Sequence, residues 1–186
     1  VYRRQPASAT PEEVRPEDPE LLRSVWERYG RLDFYPAEFR RQLLTPAMAA
    51  SGLFSWLRLR RGGSWAAVGL FRAARTQRTR VVRIPAVYKL LRPLFGALSP
   101  LIPLPRIPAE GGTIGYYCLF NPVAEGAQGW ALWRELLAHA NNLALDEGAT
   151  LLTGAFDPSD ALLPEFRRGA LNRIPYLLGV RSLVPG

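Results

Sequence analysis

The sequence is poor in cysteine, histidine, lysine and acid. Cys118 is the only cysteine among 186 residues, which excludes a disulfide framework and a cysteine-rich zinc site; no metal site is expected. The same scarcity fits a reducing, cytoplasmic setting, and the position of Cys118 inside a strand pattern gives it a small apolar role. Acidic residues number 16 against 24 basic ones, for a net charge of +8, and Lys89 is the only lysine. So strong an arginine bias reflects composition more than function. The arginines are also scattered, with Arg58, Arg60 and Arg61 in one strand pattern and Arg72, Arg75, Arg78, Arg80 and Arg83 after it. Alternation of this kind reads as a solvated sheet face and argues against a nucleic-acid partner. No apolar run reaches the roughly 18 residues of a membrane span, and no secretory leader is visible. The chain starts at Val1 without a methionine, as an excised domain would.

A hydrophobic content of 48% and a charged content of 22% suit one domain with a substantial core. Residues 1–18, with Pro6, Pro11 and Pro16, read as a linker or arm. Residues 19–186 read as a single domain. A short helix is expected over 19–29, capped by Asp18, with Pro19 in its first turn and Leu22, Val25, Trp26 and Tyr29 on one face. A second helix is expected over 36–44. Strands follow at 54–60 and 64–72, joined by a Gly62-Gly63 hairpin signal, and another at 80–84. Residues 86–108 form an apolar insertion with five prolines, a pattern that predicts neither a long helix nor a central strand. It reads as a cap on the domain's own core or as a partner interface. A membrane contact ranks below both, because only Lys89, Arg92 and Arg106 are positive there.

Residues 115–156 carry the strongest signal: a strand over 115–123, a glycine-containing loop over 124–129, a helix over 130–147 and a strand over 150–156. Leu132, Leu136, Leu137, Ala140, Leu143 and Ala144 repeat at helical spacing, and Gly148 is placed to end the helix. A strand feeding a helix N-terminus through such a turn is a place to hold a phosphate, since the first-turn N–H groups lack intrahelical partners and the dipole favours an anion. A last short helix is expected over 161–168, capped by residues 157–160, and a final strand over 174–183. The whole order implies an α/β (α+β) fold, a mixed, mostly antiparallel sheet with helices on both faces.

This order resembles the GNAT superfamily of N-acetyltransferases, most closely over residues 116–149. In that family a strand ending in Val leads to a Gln/Arg-x-x-Gly-x-Gly/Ala loop and a helix that finishes in Gly. Val123, Gln128, the Leu136-Leu137 pair and Gly148 fall at the matching positions. The phrases 124–126 and 138–142 are most similar to the C-terminal half of hookless-type tandem acetyltransferases. The resemblance implies that acetyl-CoA or another acyl-CoA binds through Asn121, Val123, Gln128, Gly129, Trp130 and Ala131. It also implies a second acetyltransferase domain or a homodimer as partner, through residues 86–108. The chain departs from the pattern where the two small loop residues become Ala131 and Trp133, which makes the cofactor loop degenerate. It departs again where the family's proton-donating Tyr is matched by Glu165 and Phe166. Glu125 is then the candidate base and Tyr176 the candidate acid. His139, in mid-helix, reads as a structural residue, and Asn141 and Asn142 as solvent-facing or as ties to a neighbouring loop. Two functions follow: an N-acyltransferase, or a non-catalytic module that packs on a catalytic twin domain. An indole of Trp133 lying in the cofactor slot favours the second.

Overall fold

The computed structural model describes residues 5–15, 17–30, 47, 50–76, 79–98, 109–154, 156 and 160–169. The expected helix at 36–44, the closing strand at 174–183 and the rest of the insertion at 99–108 lie outside these. So does Tyr176.

Gly62 and Gly63 adopt φ of 54° and 77°, the left-handed pair a two-residue hairpin needs. They join β2 (Phe54–Arg61) to β3 (Ser64–Phe71). Strand β6 (Tyr116–Glu125) pairs antiparallel with β3 on its other edge, and β7 (Leu151–Gly154) pairs parallel with β6. With β1 (Glu12–Val14) on the outer edge, the sheet runs β1-β2-β3-β6-β7. The fold is therefore α+β, with a mostly antiparallel five-stranded sheet. Strands β4 (Thr79–Arg80) and β5 (Thr113–Ile114) form a separate two-stranded ribbon, shorter than the strand expected over 80–84.

Each face of the sheet carries a helix. On one, α1 (Pro19–Tyr29) sets Leu21, Val25 and Tyr29 against Trp56, Trp65, Ala67 and Val123. It starts as its sequence dictates, with the Asp18 carboxylate accepting the Leu21 N–H at 2.9 Å. On the other face lies a long helix over Gly129–Asp146, numbered α3 because α2 (Ala86–Leu98) precedes it. Its Leu132, Trp133, Leu136, Ala140 and Ala144 join Leu57, Leu59, Val68, Leu70, Tyr117 and Leu119 in the larger core. Burying each large aliphatic of this set contributes about 1.5–3 kcal/mol. Tyr117 is core and Tyr116 half-exposed, on opposite faces as strand alternation requires.

Three expectations change. The segment expected as an arm carries β1, which adds to the sheet edge: Val14 is buried in the core, and Pro11 precedes the strand, where a missing donor costs nothing. Residues 5–9 then lie across α3. Asn142 brackets the Gln5 backbone, accepting its N–H at 2.7 Å and donating to its carbonyl at 2.8 Å. Glu135 accepts the Ser8 and Ala9 amides, and His139 Nε2 meets the Ala9 carbonyl. The second change is Arg58, expected on a solvated face. It is buried, with Glu12 at 2.5 Å, Asp18 at 3.2 Å and Glu20 at 3.5 Å. The third is α2, a 13-residue helix with Pro93 inside it, where proline was expected to forbid one. Pro85 starts the helix, its carbonyl accepting from Tyr88 and Lys89. A single interior proline interrupts one hydrogen bond, while the denser prolines begin only at Pro100.

Candidate functional site

Strand β6 is regular as far as Phe120 and then slips. Gly69 pairs with Phe120 but Ala67 pairs with Val123, so Asn121 and Pro122 together oppose Val68. This is a β-bulge. Asn121 takes φ 46°, a conformation asparagine tolerates better than most residues. The bulge reverses the facing of the strand: Tyr117 and Leu119 point to α3, whereas Val123 points to α1. The last pair with β7 among the described residues is Leu119–Gly154, and β6 runs on along β3 to Glu125.

Three residues fasten the bulge from outside the sheet. The Tyr29 hydroxyl donates to the Pro122 carbonyl at 2.6 Å and lies 3.2 Å from Asp160 Oδ2. Arg28 Nη2 holds Asp160 Oδ1 at 2.5 Å. Burial, reinforced by the Asp160 charge, raises the Tyr29 phenol far above its ordinary range, so it serves as a neutral donor. Burial opposes the charge on Arg28, yet the hydrogen bonds and electrostatic pull of Asp160 and Tyr29 together outweigh it and raise the guanidinium value. Asp160 also accepts the Leu162 N–H at 2.8 Å, which ties the turn before α4 (Leu163–Gly169) to α1. Nothing local in the sequence signals this group, because Tyr29 and Asp160 are 131 positions apart.

The turn that follows is built on glycine and Ser64. Gly126 has φ 78°, and a Cβ there would lie 2.5 Å from Ser64 Oγ and 2.9 Å from Ser64 Cα. Ser64 Oγ accepts the Gln128 N–H at 3.1 Å. The Gly126 carbonyl accepts the Gly129 N–H at 3.0 Å, and the Gln128 carbonyl accepts from Leu132 at 3.0 Å. Of the backbone amides offered to a phosphate, those of Gln128 and Gly129 therefore point to internal acceptors. Trp130 and Ala131 lie on the exposed first turn, Trp130 with 42% of its surface accessible. No acidic residue occupies that turn, so the positive end of the α3 dipole is uncompensated by side chains there. Gly129 is buried, with room beside the Ala124 backbone for little more than hydrogen: a Cβ would sit 3.1 Å from the Ala124 carbonyl carbon.

Trp133 is fully buried. Its ring meets Phe156 edge-on at 6.5 Å, and Phe156 meets Phe166 at 4.6 Å, an aromatic chain beyond the last pair of β6 and β7. Glu125 ends β6 opposite Trp65 and is half-exposed. The structure thus brings Asn121, Val123, Glu125, Gln128, Gly129, Trp130 and Ala131 along one strand–turn–helix junction. No group of three or more His, Cys, Asp or Glu residues suited to a metal occurs among the described residues. Nor is any described helix long and apolar enough to cross a membrane.

The bulged strand thus leads through a glycine turn directly into a helix N-terminus within an α+β domain. Comparison with known proteins gives a partial likeness. Over 114 residues the chain is 32% identical to "Acetyl transferase GW6a" of rice (Oryza sativa subsp. japonica). The alignment covers 58% of this chain but 27% of that protein, so the chain spans well under half of its relative. No protein-family model matches the chain, and no solved structure matches it.

Proposed function

We propose that the chain is a GNAT-type acyltransferase-fold domain that takes acetyl-CoA or another acyl-CoA and passes the acyl group to an amine. The observation that carries this reading is the junction itself: β6 bulges at Asn121 and leads through the Gly126 turn into the N-terminus of α3. The likeness to a rice acetyl transferase supports it. In this reading the acyl chain lies along β6 near Asn121 and Val123, and the diphosphate lies at the α3 N-terminus near Trp130 and Ala131. Acyl transfer then needs positioning, a strand amide for the oxyanion and removal of a proton from the amine. Glu125 is the proton acceptor and Tyr176 the donor to the departing thiolate.

A second reading has its own support. The Gln128 and Gly129 amides are spent on Ser64 and Gly126, which weakens the phosphate cradle. A domain so altered serves as a non-catalytic module that packs on a catalytic twin. Titrating acetyl-CoA into the full chain separates the two. Saturable binding in the micromolar range, with a stabilisation of about 2.7 kcal/mol at one hundred times Kd, supports the enzyme. That binding is lost in Gly129→Trp, and also in Ala131→Trp on the exposed first turn. Absence of binding at millimolar acetyl-CoA, by protein that still melts cooperatively, sinks the enzyme and leaves the module.

A further inference from the structure

Helix α2 is amphipathic in an inverted sense. Val87, Leu90, Leu91, Leu94 and Leu98 recur at helical spacing and form one stripe. Val87, Leu90 and Leu94 are 55%, 78% and 52% exposed. Val82 and Tyr88 are exposed as well, so five of the eight large exposed hydrophobics among the described residues lie between positions 82 and 94. The opposite arc holds Lys89 and Arg92. Lys89 pairs with Glu110 at 2.8 Å, and the same carboxylate accepts the Ile84 N–H at 2.9 Å. Lys89 is therefore fastened to Glu110, while Val87, Leu90 and Leu94 of the stripe face outward and Leu91 and Leu98 are half-buried.

The charges around the stripe indicate what covers it. Residues 79–98 include Arg80, Arg83, Lys89 and Arg92 and no acid. Glu110 is the one carboxylate near them in the ribbon segment at 109–114. A second copy of this face would set cation against cation across a two-fold axis. An apolar stripe with Arg92 on the opposite arc, and with Arg83 just before the helix, instead matches a lipid surface carrying negative headgroups. Thirteen residues rise about 20 Å, too little to span a bilayer. We infer that α2, with Val82, Tyr88 and the cations Arg83 and Arg92, is a docking surface for an anionic lipid bilayer, lying in its interface.

Flotation of the full chain with vesicles tests this. Binding is expected on phosphatidylcholine vesicles containing about 30% phosphatidylserine and at least about tenfold less on phosphatidylcholine alone. It should weaken as salt is raised from about 50 to about 500 mM. Leu90→Glu/Leu94→Glu should abolish it with the melting temperature unchanged, since both side chains are exposed. Arg83→Gln and Arg92→Gln should each lower it about fivefold. The inference is overturned by folded protein that ignores anionic vesicles, or by binding that survives the double glutamate variant. It is equally overturned by a concentration-dependent dimer, without vesicle binding, that the double variant dissolves. Acyl-CoA binding is read separately and bears on neither arm.

Discussion

Helices α2 and α3 carry the same kind of apolar stripe and meet opposite environments. The stripe of α3 is buried among three strands, and that of α2 lies on the surface. Connectivity accounts for the difference. Helix α3 is the crossover between parallel strands β6 and β7, and a crossover must pass over the sheet it connects. Helix α2 instead joins β4 and β5, which form a ribbon apart from the main sheet. Periodicity states which face of a helix is apolar, and topology decides what that face touches.

The comparison breaks most visibly at Trp133. Trp133→Ala removes the largest α3 side chain from the core and leaves a cavity beside Phe156, at an expected cost of about 3–5 kcal/mol. Urea unfolding measures it, and a loss below about 1 kcal/mol would mean that the indole is not packed as described. Gly126→Ala comes next, at about 2 kcal/mol, since it forces an L-residue into φ 78° and presses a methyl on Ser64.

The C-terminal end of α3 offers a smaller and pH-dependent break. Glu147 accepts from the Tyr117 hydroxyl and pairs with Arg75 at 2.7 Å and Arg72 at 3.4 Å. Burial pushes its carboxyl up, but the Tyr117 and Arg75 hydrogen bonds prevail and hold it below its ordinary 4.5. A carboxylate depressed on folding stabilises above its unfolded value and loses that contribution as pH falls through the folded one. Stability should therefore drop below about pH 4.5. Glu147→Gln should cost about 1 kcal/mol at neutral pH and flatten that acid limb. An acid limb identical in wild type and variant would show that Glu147 does not contribute to it.

The contiguous half of this architecture was legible. A strand over 115–123 and a helix over 130–147 are found as Tyr116–Glu125 and Gly129–Asp146, because period and glycine punctuation act locally. The Gly62-Gly63 hairpin was legible for the same reason. What pairs at a distance was not. Arg58 is buried by Glu12, Asp18 and Glu20, and no strand pattern announces partners in a preceding segment. Ser64 Oγ reaches the Gln128 amide from 64 positions away, so the occupied state of the candidate cradle was hidden too. Residues 115–123 read as an unbroken strand, and only the β3 register reveals the bulge at Asn121 and Pro122. Helix α2 was obscured by counting prolines over the whole of 86–108, when all but Pro93 lie beyond its last residue.

The smallest effect sharpens the comparison best. Leu90→Glu in α2 and Leu136→Glu in α3 make the same chemical change on matching stripes. Leu136 is fully buried, so its glutamate would bury an unpaired charge and should prevent cooperative folding. Leu90 is 78% exposed, so its glutamate should change stability by no more than about 0.5 kcal/mol. A measurable slope with protein concentration would alter the interpretation, since a stripe covered by another molecule stabilises through mass action. Paired melts of the two variants at two protein concentrations therefore read the topology directly. If Leu90→Glu proved as costly as a core substitution, α2 would be packed against its own chain and the division between the two helices would fall.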